Sequence, residues 1–481
     1  MTATVSDPST LSGPGAVFDR SVEQVRELIE EEGELREGPE LGRLLGLLAE
    51  RRGADLSGLP PRRQAELLGA RAAQVLPGGD RLAELLAEGR PLTVKFGIDP
   101  TGAEVHLGHA VPMVLASRLQ RMGHRVVFLV GDVTARIGDP SGRSAERPPL
   151  TADDVRRNVA TYRQQVGPFF DFSRAEFRFN SEWLEPMTLP RFLEVLAQLP
   201  ASAALQREDF RTRLAEGSGL TLAELVYSVV MALDSVELAA DVEIGGLDQL
   251  LNLQMCRRVM GAAGQQPEVV LATGLIEGTD GTGAKMSKSR NNYVGLGFPA
   301  EEMFGRLMSC ADRLLPEYLR ALTELLDEEV ESLLAQTEDG RRHPMAVKTL
   351  LAAAVTAAVH GERAALAARD AFRARYSVRR YSQAGPLPSV DPGAHGATTL
   401  GELLVRVSGE LPGLNQVRRV AGAGGLKLVV EHTDGTGRTV PLGRADVDER
   451  LRVVLGAHGL ADPRATRRVF LRCGRKVLEL T

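Results

Sequence analysis

Two histidines three residues apart, His106 and His109 in HLGH, and two lysines three apart, Lys285 and Lys288 in KMSKS, are the side chains most readily given a chemical task. Two imidazoles and two ammonium groups suit a polyphosphate, whose charge builds up as pyrophosphate leaves. HLGH follows the apolar run VKFGI and a polar turn carrying Asp99, Pro100 and Thr101, and it precedes the stretch AVPMVLASRLQRMG. The pattern predicts strand, loop and helix, with the helix starting near Leu107. The free amides and positive dipole end of such a start attract anions. Taken alone, HLGH leaves metal, phosphate and no ligand open. Metal is the weakest of the three, because HxxH here lacks a third ligand and His124 is the only other histidine of the region. KMSKS lies in GTDGTGAKMSKSRNNYVGLG, whose glycines predict a mobile loop. Strand end, histidine-bearing helix start and two-lysine loop, in that order, describe a triphosphate clamp. The reaction implied is adenylyl transfer.

Such a clamp needs elements that hold it. From about residue 71 to 298, β-branched runs (LTVKFGI, HRVVFLVG, EFRFN, PEVVLATGL) alternate with helical patterns. That is the α/β signature of a Rossmann-type parallel sheet, where ligands bind at the carboxyl ends of strands. Residues 1–70 read as a Glu/Leu/Arg-rich helical extension whose task is not legible. Residues 299–382 are almost wholly helical, 383–397 are a Pro/Gly/Ser-rich linker, and 398–481 form a small α+β module. No fixed-period repeat is present.

Composition bounds the class. A chain of 481 residues, 43% hydrophobic and 25% charged, is ordinary globular protein of two to four domains. With a net charge of −5, any nucleic-acid contact must come from local basic patches. Cys256, Cys310 and Cys473 lie far apart and outside any CxxC spacing, which argues against disulfides and a thiolate zinc site. No apolar run reaches the roughly 18 residues of a membrane span, and MTATVSDPSTLSGPGAVFDRS lacks the order of a signal peptide. A cytoplasmic location is expected.

HLGH and KMSKS resemble the two signatures of class I aminoacyl-tRNA synthetases. FGIDPTGAEVHLGH, FLVGDVTARIGDPSGRSAERPPLT, FNSEWLE, LDSVELAADVEIGGLDQLLNLQM and KMSKSRNNYVGL are similar to the bacterial tyrosyl-tRNA synthetases, over residues 75 to about 375. The resemblance implies activation of tyrosine with ATP and magnesium, transfer to tRNA for protein biosynthesis, and a homodimer. It implies that His106, His109 and Thr101 contact the triphosphate and that Lys285 and Lys288 close over it. It also implies that Gly97, Asp99, Gly246 and Asp248 hold the adenosine and its ribose. Tyr227 and Asp139 match groups that hold the substrate's ammonium, Asp234 the group that reaches its phenol, and Gln249 a residue near its carboxylate.

The chain departs from that pattern in the amino-acid pocket. Met231 stands where the family has a Gln on the ammonium, Leu233 replaces a common Tyr, Leu247 a small polar residue, and Lys95 aligns with a Tyr that often pairs with the phenol. An unreplaced charge-assisted hydrogen bond would cost about 1.5–3 kcal/mol. Unaltered tyrosine activation is the first expectation. A duplicate enzyme with a pocket changed for a related amino acid, serving resistance or specialised metabolism, is the alternative. Two further classes are an adenylate-forming enzyme with a non-tRNA acceptor and a decayed scaffold used for regulation; retention of both signatures opposes the last.

HPMAVKTLLAAAVTAAVHGERAA resembles the family's helical anticodon-side domain, and GLNQVRRVAGAGGLKLVV with RRVFLRCGRKVLEL resembles an S4-like RNA-binding module. Arg418, Arg419, Lys427, Arg467, Arg468, Arg472, Arg475 and Lys476 are candidates for phosphate contacts, which give affinity more than base readout. EHTDGTG stands where the module usually has an NG turn.

Overall fold

The computed structural model describes residues 15–31, 35–36, 38–141, 150–205, 208–217, 220–376, 387–391, 394, 398–408, 413–432, 436–460, 467–474 and 476–481. Residues 142–149 of the GDPSG stretch, most of the linker, 433–435 of EHTDGTG, and Arg475 lie outside them, as does the side chain of Arg467. The chain divides into two compact units, Met1–Leu366 and Ala367–Thr481.

The first unit is built on a six-stranded sheet: β1 Gln74–Leu76, β2 Thr93–Ile98, β3 Arg125–Val130, β4 Glu176–Phe179, β5 Val242–Gly246 and β6 Val269–Thr273. Their order is β1-β6-β5-β2-β3-β4, all parallel except β1, which runs antiparallel to β6. The chain winds outward from β2 through β3 to β4, then returns to place β5 on the other side of β2. A crevice opens where strand order reverses, at the carboxyl ends of β2 and β5. β3 and β6 read as almost continuous apolar runs and are buried nearly throughout, as strands inside a parallel sheet are.

Two helices frame that crevice. Leu107–Arg121 is buried nearly all round, from Leu107 and Ala110 to Leu119 and Gln120, as a helix in the middle of a large domain must be. Leu222–Leu238 starts at a capping box: Thr221 Oγ accepts the Glu224 N–H, and the Glu224 carboxylate accepts the Thr221 N–H. It presents Tyr227, Met231 and Asp234 at a spacing of four and three, on one face.

The N-terminal extension forms helices Ala16–Glu30, Glu40–Gly53 and Pro61–Gly69 and packs against the helical segment 315–366. Its anchor is Arg51, fully buried, which makes a two-pronged pair with Glu329 at 2.8 and 2.9 Å and donates to the carbonyls of Glu324 and Ser21. The same region grips the far end of helix Leu107–Arg121. The Glu324 carboxylate takes Arg118 and Arg121 at 3.1 Å each, Arg118 donates to the Leu67 carbonyl, and Arg121 to that of Arg51. Despite its burial, Arg121, Arg118 and Arg71 hold Glu324 down to about 2. The extension is therefore bolted to the helix that begins with HLGH.

The second unit holds a five-stranded sheet, β7 Ser389–Val390, β8 Leu426–His432, β9 Gly437–Pro441, β10 Arg467–Cys473 and β11 Lys476–Leu480, in the order β7-β11-β10-β8-β9. Helices Leu400–Ser408, Leu414–Gly422 and Leu451–Ala457 accompany it, and Leu403, Val417, Leu428, Leu451, Val469 and Leu471 share one core. Among the described residues no helix is long and apolar enough to cross a membrane.

Candidate active site

HLGH sits at the crevice. His106 is the N-cap of helix Leu107–Arg121, and its Nδ1 accepts the N–H of Gly108 at 3.2 Å, while His109 Nδ1 accepts the N–H of His106 at 3.2 Å. An Nδ1 that accepts cannot carry the proton, so in the neutral ring the hydrogen is on Nε2, which is left to donate. Burial, followed by the nearby Lys288 and Lys285, pushes His106 down to about 3; burial and then His106 and the same lysines hold His109 well below the usual imidazole range. The pair acts as two neutral N–H donors. With both Nδ1 atoms engaged, a shared metal is disfavoured and an anion is favoured.

KMSKS closes over the same place. The segment after it pairs with the entry to HLGH, through Leu107 N–H to the Val294 carbonyl at 2.9 Å and Leu296 N–H to that of Val105 at 2.8 Å. Met286 is buried, and Ser287 N–H donates to Asn292 Oδ1, which shapes the loop. Lys288 Nζ donates to the Glu104 carbonyl at 2.9 Å, and an added Cβ on Gly102 would stand 2.7 Å from it. Lys285 is ion-paired with Asp248. Thr101 lies in the turn between Asp99 and Gly102, its N–H bonded to the Asp99 carbonyl.

Gly97 is the last residue but one of β2, and an added Cβ there meets no protein atom within 4 Å, so the space it leaves belongs to the open crevice. At Gly246, on the end of β5, a Cβ would come 2.5 Å from Asp248 Oδ1 and 3.0 Å from Leu275. Gly246, Asp248 and Lys285 are thus neighbours.

The amino-acid candidates form two linked groups. Asp139 accepts from Gln249 Nε2 at 2.7 Å and from the Ser141 N–H at 2.9 Å, with Asn252 beside both. Asp234 accepts the indole N–H of Trp183 at 2.8 Å and Asn180 Nδ2 at 3.4 Å. Burial pushes Asp234 up to about 6, with Lys95, Trp183 and Asn180 working against the rise. Tyr227 donates its hydroxyl to Asp99 Oδ2 at 2.8 Å, and Thr134 donates to Asp99 Oδ1 at 2.7 Å. Asp99, which the resemblance gives as a nucleotide contact, is thus hydrogen-bonded to one of the residues that it gives for the amino acid. Burial first, and then Asp139 and Asp234, push it up to about 7.

The departures from pattern fall in different places. Met231 packs its side chain between two apolar clusters that include Val229, Met255, Leu253 and Val270. Leu233 is buried, and Leu247 is exposed at the crevice rim. Lys95 belongs to a buried network: its ammonium pairs with Glu243 at 2.7 Å and donates to Ser235 Oγ at 2.9 Å and to the Met231 carbonyl. Against the burial that would discharge it, Glu243 keeps that ammonium charged. Thr134, Asn180, Trp183 and Gly131 were not singled out from sequence, although FNSEWLE contains two of them; only packing shows that they hold Asp234 and Asp99.

The fold and the two signatures meeting at one strand-order switch define a class of protein, and comparison with known proteins names it. The family model "tRNA synthetases class I (W and Y)" matches residues 87–377, and the chain belongs to that family. Its relatives include a tyrosine–tRNA ligase of Idiomarina loihiensis, 42% identical over 66% of this chain and 78% of that protein. Another is the tyrosine–tRNA ligase of Thermotoga maritima, 35% identical over 79% of this chain and 94% of that protein. The fold is shared with a C-terminally truncated mitochondrial tyrosyl-tRNA synthetase of Coccidioides posadasii, at TM-score 0.53 and 21% identity over 72% of this chain and 98% of that one. It is shared as well with the tyrosyl-tRNA synthetase of Archaeoglobus fulgidus complexed with L-tyrosine, at TM-score 0.52 and 20% identity over 64% of this chain and 99% of that one.

Proposed function

We propose that this chain is a tyrosine–tRNA ligase, joining tyrosine to ATP as tyrosyl-adenylate with release of diphosphate and passing the tyrosyl group to tRNA. The observation that carries the reading is the meeting of HLGH and KMSKS just beyond the turn that holds Asp99, which supports a donor set for phosphate next to carboxylates for an ammonium. The substrate carboxylate attacks the α-phosphorus, the bond from that phosphorus to the bridging oxygen breaks, and the diphosphate takes the electron pair. His106 and His109, through Nε2–H, and Lys285 and Lys288 would stabilise the charge that appears on the leaving group, where each 1.4 kcal/mol or so is a factor of ten in rate. Thr101 would add a hydroxyl. Gly97 and Gly246 leave room for adenosine, and Asp248 suits the ribose hydroxyls once Lys285 turns to the phosphates. The two histidines and the two signature lysines are donors, so a magnesium ion arriving with ATP would take its ligands from phosphate and water rather than from them.

Asp234, held by Trp183 and Asn180, is suited to accept a phenol, and Tyr227 and Asp139 to meet the ammonium, with Gln249 near the carboxylate. The S4-like reading of the tail supports tRNA as acceptor. Leu189, Leu193, Leu214 and Leu222 are exposed within one stretch of the catalytic unit, which supports a homodimer burying that stretch. A cytoplasmic location fits an enzyme that uses tRNA. Pyrophosphate exchange over a panel of amino acids, followed by charging of tRNA, tests the reading. Exchange driven far better by an amino acid other than tyrosine would overturn it in favour of an altered pocket, and adenylate formation without tRNA charging would point to another acceptor.

A further inference from the structure

The Asp99 carboxylate accepts the Tyr227 hydroxyl at 2.8 Å, and among the described residues neither Asp99 nor Asp139 is ion-paired to a lysine or arginine, while Asp234 feels the charge of Lys95. Burial, and then Asp139 and Asp234, disfavour the charge of Asp99, and an incoming cation beside it offsets that. By family resemblance the cation is held by a tyrosine, an aspartate and a glutamine, but residue 231 offers no acceptor. The Met231 side chain is packed in apolar clusters, and its carbonyl takes Lys95 at 3.3 Å.

We propose that Asp99 is a direct ligand of the substrate's α-ammonium group, supplying the acceptor that methionine at position 231 lacks. The inference rests on the ligase reading above. Four observations carry it. Tyr227, which matches an ammonium-holding tyrosine, has its hydroxyl on Asp99 Oδ2 at 2.8 Å, so the two groups face the same spot. Asp99 Oδ1 is steered by Thr134 at 2.7 Å, and a carboxylate with about four acceptor sites still has room for an N–H. Thr134 is itself held by Asn180 at 3.1 Å, the residue that also reaches Asp234, so the positions of Asp99 and Asp234 are set together. At Gly131, beyond the end of β3, an added Cβ would lie 2.1 Å from Asp99 Oδ1, so the glycine reserves the space this carboxylate occupies.

Trp183 is the only tryptophan of the chain and touches Asp234, so its fluorescence reports occupation of the pocket without any turnover. The full chain is titrated with tyrosine and with 3-(4-hydroxyphenyl)propionate, which lacks the ammonium. Asp99→Asn is expected to weaken tyrosine binding by about tenfold or more and to change propionate binding less than about twofold. In a Met231→Gln background the same change is expected to cost tyrosine less than about threefold, because a second acceptor is restored. Equal weakening of both ligands would overturn the inference in favour of a role in shaping the pocket. Unchanged tyrosine binding with a raised KM for ATP in pyrophosphate exchange would overturn it in favour of a nucleotide contact. A wild-type protein that neither responds to tyrosine nor supports exchange with it would sink the ligase reading itself, and this inference with it.

Discussion

His109 Nδ1 accepts the backbone N–H of His106, and the two rings lie 3.9 Å apart, so the second histidine of HLGH fixes the turn that presents the first. Each ring is thereby held neutral with its Nε2–H outward. Removing that donor from His109 with Ala is expected to lower the rate of adenylate formation by about 10- to 100-fold, the range for a hydrogen bond to a charged group, while His109→Gln, whose amide N–H reaches a similar point, retains more. Single-turnover rates measure both.

The same histidines bear on stability. Their folded pKa values lie below the ordinary 6.5, at about 3 for His106, so in acid the unfolded chain takes up protons that the folded chain refuses. Their contribution is present above about 6.5 and is lost as pH falls from there towards 3. Denaturant midpoints at pH 7 and pH 5 should differ by less in a His106→Gln variant than in the wild type.

Asp234 depends on pH in a way that bears on selectivity. Burial raises it to about 6, and the Trp183 hydrogen bond holds it charged. Preference for tyrosine over phenylalanine in pyrophosphate exchange should therefore shrink as pH falls below about 6. In Trp183→Phe that midpoint should move upward, because one donor favouring the carboxylate is gone; a midpoint that stays put would show that burial and Lys95 set it.

Lys95 and Glu243 are both about 1% exposed, so breaking their pair strands a charge in the core. Lys95→Met is expected to cost about 3–5 kcal/mol of stability, and Lys95→Met with Glu243→Leu to recover most of it. Arg51→Met, at the anchor of the extension, should cost a similar amount, whereas Arg26→Ala, whose pair with Glu328 is exposed, should cost about 1 kcal/mol at most. Urea denaturation distinguishes these outcomes.

In the tail, Arg418 is already paired with Asp448 and Arg468 with Glu479, and Arg472 donates to the Gly474 carbonyl. Arg419 is exposed and Lys427 partly so. Arg419→Ala and Lys427→Ala should each weaken tRNA binding and lower the salt slope of log K by about 1, whereas Arg418→Ala should move it less.

Local pattern alone determined a good deal of this protein. An apolar run, a polar turn and an apolar-periodic stretch predicted β2, the turn at Asp99 and the helix from Leu107, because each follows from neighbours a few residues apart. HLGH and KMSKS announced a polyphosphate because the chemistry sits in the side chains themselves. Tertiary structure decided what depends on residues far apart in the chain. The extension offered no purpose until Arg51 met Glu329, 278 positions away, since a buried ion pair has no local signature. Lys95 could be aligned with a phenol-facing position, but only the neighbouring strand, with Glu243 directly opposite, shows what its ammonium pairs with. The resemblance gives Asp99 as a nucleotide contact, and only packing shows that it meets the Tyr227 hydroxyl, on a helix that starts more than a hundred residues later.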